Sequence, residues 1–343
     1  MNKIFFITLL TLYFFNSFAA SQNKNNDTLF VAFWNLQNLF DTKDDPLTKD
    51  EEFLPEAEKE WTQERLDKKL YNLSRVIRLM NNGKGPDVIG VCEVEHQSLL
   101  DSMVNKFLPD LNYGVAYMES PDERGIDNGL IYKKNIIKIN NITADSVYLS
   151  ETDKTRLVLE VQLKYNEEIL TFFVNHFPSR GGGEVQSEPK RIKAAEVLRK
   201  NIDEIYALDP DAKIIVIGDF NDEPNNKSIA EVLLAEKYFC DSSNYSSSKL
   251  LNLSYQQFSE GVGSYRYKDD WNMIDQIIVS KNLIDGEELN YVCGSFEVFK
   301  PYLLQTHTGK FQGTAFPTYG GSRYLGGFSD HYPVTAKFSV IKK

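Results

Sequence analysis

The stretch Lys213–Pro224, KIIVIGDFNDEP, predicts a short buried strand that runs directly into a group of polar side chains. Ile214–Gly218 is apolar or glycine, too short for a helix and rich in β-branched residues, which favours a strand covered on both faces. The polar group that follows consists of Asp219, Asn221, Asp222 and Glu223. Carboxylates at the end of a buried strand are costly unless they bind a metal or a substrate, although a polar turn explains a single such stretch equally well.

Other segments of the chain repeat this pattern, with polar side chains at or near the ends of predicted strands. Together the segments supply Asn35, Glu93, His176, Asp219, Asn221, Asp275, Asp330 and His331. Oxygen ligands with few imidazoles suit Mg²⁺, Mn²⁺ or Ca²⁺ better than zinc. Histidines among carboxylates suit general-acid catalysis or the neutralisation of a phosphoryl oxygen. The residues alone therefore predict a metal-dependent hydrolase, with a phosphate ester as the favoured substrate class.

Length and composition indicate one large globular domain. The 343 residues are 42% hydrophobic and 25% charged, enough for a sizeable core, and neither an internal repeat nor a linker interrupts them. We expect a single catalytic domain over residues 27–343. The net charge of −11 argues against indiscriminate binding of polyanions, although a local cationic cleft or a metal can still receive a phosphate.

Residues 1–19 resemble a secretory signal peptide. Lys3 provides a positive start, Ile4–Phe15 is apolar, and Ser17 to Ala19 offer small residues for cleavage after Ala19. The alternative is an uncleaved anchor, but the apolar run is short for a bilayer span. The mature protein is therefore expected to be exported, to the periplasm or the extracellular medium.

Three cysteines allow few interpretations. Cys92 lies inside an apolar strand and is expected to be a buried thiol. Cys240 and Cys293 are able to pair in an oxidising compartment, but two residues do not define a disulfide framework.

Six motifs, in chain order, resemble those of the endonuclease/exonuclease/phosphatase superfamily, which has the fold of pancreatic deoxyribonuclease. They are FWNLQNLF, GVCEVE, NHFPSR, IGDFND, MIDQIIVS and GFSDHYP. The resemblance extends from Leu29 to Val340. It implies an α/β fold of four layers, a two-sheet β-sandwich flanked by helices on both outer faces, with the site at one end of the sheets.

The resemblance also implies a metal centre. Glu93 is expected to be the main ligand, Asn35 to help hold the metal and the phosphate, and Asp330 to complete the metal and water network. The expected ion is Mg²⁺, with Mn²⁺ and Ca²⁺ as alternatives.

The catalytic roles implied by the resemblance involve two histidines and two aspartates. His176 is expected to protonate the leaving oxygen or to hydrogen-bond the phosphate. Asp219 would orient or deprotonate the attacking water, with Asn221 binding beside it. His331 would stabilise the pentavalent charge, and Asp275 would orient His331.

Substrate contacts are less closely matched to the family motifs. Arg156 resembles the phosphate-contacting arginine, and Arg180 lies where a phosphate-attracting rim is expected. The acidic partner of His176 has no clear position, and Asp127 and Asn128 are the two candidates. The segment at 302–327 is longer and more aromatic than the family implies, which makes it a candidate determinant of substrate choice.

Several remaining polar residues receive structural interpretations. Glu95 is expected to be a solvated neighbour of Glu93, because side chains two apart on a strand share a face. His96 and His307 are interpreted as hydrogen-bonded structural histidines. The basic run in the helix after the triple glycine is interpreted as a solvated helix face, with a phosphate-attracting rim near Arg180 as the alternative; it comprises Lys190, Arg191, Lys193, Arg199 and Lys200.

The leading hypothesis is an exported, divalent-metal-dependent phosphodiesterase of the nuclease type. A sphingomyelinase-like enzyme, or a phosphatase of inositol or sugar phosphates, keeps the chemistry and changes the substrate. A binding module that has lost catalysis is disfavoured because every expected catalytic residue type is present. The substrate is thus a phosphate ester of nucleic acid, phospholipid or sugar, and we expect a monomer without an obligate protein partner.

Overall fold

The computed structural model describes residues 28–240, residue 245 and residues 250–340. The predicted signal peptide, residues 1–19, lies outside them, as do residue 27 and residues 341–343 of the predicted catalytic domain. None of the helices in the described part of the chain combines the length and the apolar character that crossing a bilayer requires.

The described residues form eighteen strands and four α-helices. In chain order the strands are β1 (Thr28–Leu39), β2 (Val88–Val94), β3 (Tyr113–Tyr117), β4 (Asp127–Lys133), β5 (Ile137–Asp145), β6 (Val158–Tyr165), β7 (Glu168–His176), β8 (Lys213–Asp219), β9 (Ala235–Lys237), β10 (Leu250–Asn252), β11 (Tyr265–Tyr267), β12 (Asp270–Asn272), β13 (Asp275–Ser280), β14 (Leu289–Tyr291), β15 (Glu297–Val298), β16 (Tyr319–Gly320), β17 (Arg323–Tyr324) and β18 (Val334–Val340). The helices are α1 (Gln63–Gly83), α2 (Gln97–Phe107), α3 (Glu184–Leu208) and α4 (Tyr255–Ser259).

Two large sheets pack face to face. The first has the order β14-β18-β1-β2-β4-β3, with β15 also paired to β18, and the second has the order β5-β6-β7-β8-β13-β10-β9. Strands β1 and β2 are parallel, as are β7 and β8. Contacts between the sheets are made mainly by β1, β2 and β4 on one side and by β7, β8 and β13 on the other. The predicted two-sheet sandwich is confirmed.

Strand β8 is buried on both faces, as its apolar run predicts. Ile215 and Ile217 belong to the core between the two sheets. Ile214 and Val216 point to the opposite face, where they pack in a second cluster with residues of α3. The strand therefore ends in a region from which water is largely excluded, which is why the polar residues after it need specific partners.

The helices lie against the sheets through apolar stripes. Helix α1 begins after Thr62, whose side chain caps the helix by accepting a hydrogen bond from the N–H of Arg65. Its buried face includes Leu66, Leu70 and Leu73. Helices α1 and α2 contact β1 and β2, whereas α3 contacts β6 of the second sheet.

The edge strand of the second sheet differs from its prediction. The stretch DSVYL at residues 145–149 favours an edge strand by sequence alone, but β5 covers Ile137–Asp145 and pairs with β6. Its register shifts between Ile139 and Asn141. This bulge breaks the alternation of apolar and polar residues, so the strand has no clear periodic pattern in the sequence.

Cys240 and Cys293 form a disulfide, with their Cα atoms 5.6 Å apart. The bridge joins the segment after β9 to the segment after β14. Cys92 is a free thiol and is buried, as predicted.

Helix α3 is joined to the loop after β8 by a buried ion pair. Arg191 is fully buried, and its Nε lies 2.7 Å from Oδ1 of Asp222, which is itself 1% exposed. The second carboxylate oxygen of Asp222 accepts a hydrogen bond from the hydroxyl of Ser228. The interpretation of the basic positions as a solvated face is therefore wrong for Arg191, because Asp222 supplies the opposite charge that its burial requires.

Replacing this arginine tests how strongly the ion pair holds the loop. Arg191→Met should lower the free energy of unfolding by about 3–5 kcal/mol, because the Asp222 carboxylate stays buried without its partner. Urea denaturation followed by circular dichroism measures the loss. The control is Lys200→Met on the same helix, where Lys200 forms an exposed pair with Glu204, worth at most about 1 kcal/mol. Equal losses in the two variants would contradict the assignment.

Candidate active site

Three neighbouring strands of the second sheet bring His176, Asp219 and Asp275 into one row. Strands β7 and β8 run parallel and end together, and the antiparallel β13 begins at the same edge. The register pairs His176 with Asp219, and Asp219 with Asp275. All three side chains are at most 5% exposed. The row follows from backbone pairing alone, so the three residues are fixed by the core of the sandwich.

The first sheet contributes Asn35 and Glu93 through irregular backbone at the ends of β1 and β2. Glu93 has a φ of +60°, and the register of β2 with β4 shifts between Cys92 and Val94. Such a bulge redirects a side chain out of the regular alternation. As a result, Nδ2 of Asn35 donates to Oε1 of Glu93 at 3.2 Å and to Oδ2 of Asp219 at 3.0 Å, which connects the two sheets.

Asn35 presents its NH₂ group to the site rather than its oxygen. Its Oδ1 accepts the backbone N–H of Gln37 at 2.8 Å, and the N–H of Asn38 donates to Oε2 of Glu93 at 2.8 Å. Gln37 and Asn38, near the end of β1, both have positive φ angles, and their N–H groups point to these two side chains. In this geometry Asn35 orients Glu93 and Asp219, and its role as a metal ligand stays a prediction.

The segment that contains Asp330 and His331 is fastened to β1. The indole Nε1 of Trp34 donates to the carbonyl of His331 at 2.9 Å. The hydroxyl of Ser329 donates to the carbonyl of Asn35 at 2.7 Å and accepts the N–H of His331 at 3.1 Å. The first two of these contacts join the last motif of the chain to the first strand, and the third orders the motif itself.

His331 is held as an imidazolium ion. Its Nδ1 lies 2.8 Å from Oδ2 of Asp275, and the ring of Tyr265 stacks on it at 4.6 Å. Burial lowers the pKa of His331, but the adjacent Asp275 carboxylate, with Asp219 and Asp330 nearby, raises it to about 10. The predicted pairing of His331 with Asp275 is what the structure shows.

His176 is held in the opposite protonation state. Its Nε2 lies 3.8 Å from Oε1 of Glu93 and 3.7 Å from Oδ2 of Asp219. Burial lowers the pKa of His176 well below its ordinary value, and the nearby positive charge of Arg156 lowers it further. A neutral imidazole suits hydrogen bonding to a phosphate better than proton donation, the two roles that the sequence left open.

The carboxylates of the site form a concentration of negative charge. Burial and the repulsion of Asp275 raise the pKa of Asp219 to about 7. The pKa of Asp330 is also raised, because burial and the charge of Glu93 together outweigh the attraction of His331. One oxygen of Asp275 is buried without a hydrogen bond within the described chain. Such a cluster of oxygen donors fits a divalent cation, which would relieve the repulsion.

Arg156 has a positioning role in the structure. It is 7% exposed, and its guanidinium group donates to the carbonyl oxygens of His176 and Phe177 and to the carboxylate of Asp122 at 2.7–3.2 Å. These bonds fix the backbone that carries His176. A direct contact between Arg156 and a substrate phosphate stays a prediction.

Asn128 connects the two sheets beneath the site. Its Nδ2 donates to the carbonyl oxygens of Leu157 and Val174, while its Oδ1 is buried without a hydrogen bond among the described residues. Asp127, the other candidate partner of His176, accepts hydrogen bonds from the hydroxyl of Tyr117 and the N–H of Ser120 instead. Asp127 is thus occupied elsewhere, and a substrate contact of Asn128 stays a prediction.

A pocket of about 480 Å³ opens beside these residues. Its wall is formed by Ser179–Glu184, Asn221, Tyr265, Tyr267, Asn272 and Ile274. Arg180 links two other residues of the wall: its Nε donates to the carbonyl of Asn221 at 2.7 Å, and its Nη1 donates to Oδ1 of Asn272 at 3.1 Å. Asn221 and Tyr265 belong to both the pocket and the catalytic group, so a molecule in the pocket would lie next to His331.

Lys69 is a component of the site that the sequence analysis missed. It is 1% exposed, and its Nζ donates to the carbonyl of Gln37 and to the hydroxyl of Thr318, both at 2.6 Å. Burial lowers the pKa of Lys69 to about 7, although Asp330 and Glu93 counteract the shift. The sequence does contain a pattern that indicates a buried lysine here. Position 69 falls within the apolar stripe of α1, where a lysine needs polar partners.

A family model described as Endonuclease/Exonuclease/phosphatase family matches residues 30–340. The chain belongs to this family. The resemblance inferred from the six motifs is thereby confirmed, and the predicted enzyme class, a metal-dependent phosphoric ester hydrolase, is the class of the family. None of the curated proteins compared with the chain is similar to it at a significant level.

Solved structures of the same fold are distant in sequence. A mannosyl-6-phosphatase from Bacteroides thetaiotaomicron is 15% identical, with a TM-score of 0.57 and coverage of 92% of this chain and all of the other. The human Nocturnin catalytic domain with a bound sulfate anion is 18% identical, with a TM-score of 0.54 and coverage of 92% and 95%. D. rerio TDP2 with a single-strand DNA product is 15% identical, with a TM-score of 0.56 and coverage of 91% and 99%. At these identities the likeness shows the fold alone.

Replacing Asp275 tests the charge assigned to His331. In Asp275→Asn the pKa of His331 should fall from about 10, because the substitution removes the carboxylate 2.8 Å from Nδ1. The wild-type imidazolium should lose its proton only near pH 10, whereas the variant should lose it at lower pH. NMR titration of labelled histidine follows the ring directly. The exposed His307 is the internal control, and an unchanged titration of His331 would refute the assignment.

Proposed function

We propose that the protein is an exported, divalent-metal-dependent phosphoesterase that cleaves esters of a single sugar or nucleoside unit, including the end of a nucleic acid strand. The observation that carries the proposal is the position of His331, which is paired with Asp275 and lies 3.9 Å from Asp219. The ring of Tyr265 stacks on His331 and also lines a pocket large enough for one such unit.

Glu93 and Asp330 would hold the cation, for which Mg²⁺ is the proposed species and Mn²⁺ or Ca²⁺ the alternatives. When bound, the ion would neutralise phosphoryl oxygens and align the phosphate for in-line attack. Asp219 would take the proton of the attacking water. Its oxygens accept hydrogen bonds from the N–H of Asn221 at 2.9 Å and from Nδ2 of Asn35, which fix the carboxylate.

His331 would counter the charge that develops on the phosphoryl group. Its Nδ1 is engaged by Asp275, and its Nε2 is directed towards Asp219, 3.9 Å from Oδ2. A charged donor held rigidly in a buried site stabilises the transition state more than the ground state. His176, neutral and 3.7 Å from the same Asp219 oxygen, would hydrogen-bond the phosphate without adding charge.

The pocket argues for a small alcohol group on the substrate. Its aromatic surface is supplied by Tyr265 and Tyr267, and its polar groups include Arg180 and Asn272. Rings of this kind stack on sugars and bases. Arg180 is paired with Glu184 at 3.4 Å, so the pocket offers polar hydrogen-bonding groups and not an unpaired positive charge. The net charge of −11 would disfavour long contacts along a polyanion. A sugar phosphate, a nucleotide ester and a strand end all meet these conditions, and an intact duplex does not.

Export is supported by two independent features. The sequence at residues 1–19 resembles a secretory signal and would direct export. The Cys240–Cys293 disulfide is of a kind that persists in oxidising compartments such as the periplasm.

The two site histidines provide the test of catalysis. His331→Ala and His176→Ala should each lower kcat by about 10²-fold or more with little change in KM, as expected for groups that act in the transition state. Steady-state kinetics on one activated ester under saturating Mg²⁺ measure the effect. His307→Ala, which removes an exposed ring stacked on Tyr302, is the control. Undiminished turnover in excess chelator, or equal losses in all three variants, would rule out the proposed mechanism.

Replacing Tyr267 tests the proposed substrate class. Tyr267→Ala should raise KM about tenfold for sugar phosphates, nucleotide esters and single-stranded oligonucleotides, because about 1–3 kcal/mol of stacking is lost. Tyr148→Ala, which changes an equally exposed tyrosine outside the pocket, should have no effect. Wild-type enzyme should cleave these substrates faster than intact duplex DNA or sphingomyelin. Equal or faster cleavage of duplex or lipid, unaffected by Tyr267→Ala, would contradict the proposed substrate.

A further inference from the structure

A second group of potential metal ligands lies beyond the ends of β1 and β2. It consists of Asp41, Glu95 and His96, and one ligand atom from each residue lies within 4.8 Å of the other two. Glu93 is not a member of this group. The arrangement follows from the parallel pairing of β1 with β2, which matches Leu39 with Val94 and brings the two following segments side by side.

Glu95 is buried, not solvated as its position two residues after Glu93 suggests. It is 1% exposed. The left-handed backbone at Glu93 interrupts the strand, so the rule that residues two apart share a face does not apply here. The backbone N–H of Glu95 donates to the carbonyl of Leu39 at 3.0 Å, which ties this residue to the end of β1.

The Glu95 carboxylate is only half satisfied. Its Oε2 accepts the N–H of Asp41 at 2.6 Å, whereas its Oε1 is buried and has no hydrogen-bond partner among the described residues. The charged groups that act on it are Asp41, His96 and Asp50, of which only His96 can be positive. Asp50 is also 1% exposed, with one oxygen that lacks a partner in the described chain. Buried carboxylate oxygens without partners are costly, and a cation is the ligand that would satisfy them.

His96 is oriented as metal-binding histidines commonly are. Its Nδ1 lies 3.2 Å from Oε1 of Glu119. A carboxylate on one ring nitrogen fixes the tautomer and leaves the other nitrogen available to a metal. Two carboxylates with one imidazole suit Mn²⁺ or Zn²⁺ better than Mg²⁺ or Ca²⁺, which prefer oxygen ligands only.

We propose that Asp41, Glu95 and His96 bind a second divalent ion of the transition-metal type, separate from the cation expected at Glu93. The ion would join the segment after β1 to the segment after β2. Those two strands carry Asn35 and Glu93, so an ion in this position would stabilise the backbone from which the active site is built.

Metal binding by the stripped, untagged protein tests the proposal. Zn²⁺ and Mn²⁺ are titrated in excess Mg²⁺ and in a Glu93→Gln background, which together suppress binding at the catalytic position. One ion should bind per chain in this background. Adding Glu95→Gln and His96→Asn should abolish binding or weaken it at least tenfold, whereas adding the exposed Glu204→Gln should change nothing. Circular dichroism establishes that each variant is folded.

A second measurement does not depend on the variants. In wild-type protein saturated with Mg²⁺, added Zn²⁺ should shift the ring nitrogen resonances of His96 and leave those of His307 in place. Zn²⁺ should also raise Tm, since it binds only the folded chain. The proposal is overturned if the His96 resonances do not move, or if the variants at Glu95 and His96 bind as many ions as the Glu204 control.

Discussion

The structure of the site depends on one electrostatic constraint, the burial of several carboxylates at the same end of two packed sheets. Asp219 and Asp275 are neighbours in strand register and are almost fully buried, and Glu93 and Asp330 approach them from the first sheet and the last loop. Like charges in a region of low dielectric repel strongly. The donors that face these carboxylates reduce the repulsion: they are the NH₂ of Asn35, the N–H groups of Asn38 and Asn221, and the imidazolium of His331.

The same constraint explains why two histidines in one site have opposite charge states. His331 is surrounded by carboxylates and therefore keeps its proton. His176 also lies near Glu93 and Asp219, but the guanidinium group of Arg156 binds the carbonyl beside it and opposes protonation. Burial is the main reason that the ring of His176 stays neutral, and Arg156, which also fixes the His176 backbone, lowers its pKa further. Electrostatic roles of this kind follow from the whole arrangement of neighbours and not from the residue type.

Sequence and structure agree best where backbone pairing decides the outcome. The apolar run of β8 and the polar residues after it predict a buried strand that ends in metal-binding or substrate-binding side chains. The pairing of β7, β8 and β13 then brings His176, Asp219 and Asp275 together. The six motifs identified the family because they lie at or near such strand ends and follow one another in the chain order typical of the family. The edge strand β5 was misplaced because its bulge removes the periodic signal on which the prediction depends.

The components that sequence reasoning missed are those whose role depends on contacts far along the chain. Lys69 becomes part of the site only because the long segment at 302–327 folds back onto α1 and brings Thr318 to it. The ring of Tyr319 packs against Trp61 and holds that segment in place. Arg191 is buried only because Asp222 arrives from another element. In both cases a cation lies on the buried face of a helix. Its charge is compensated by a group that neither helical periodicity nor a local motif can locate, because loops of unknown path bring the partner to it. A lysine or arginine within an apolar stripe therefore indicates from sequence that a buried polar contact exists, while the structure is needed to identify the partner.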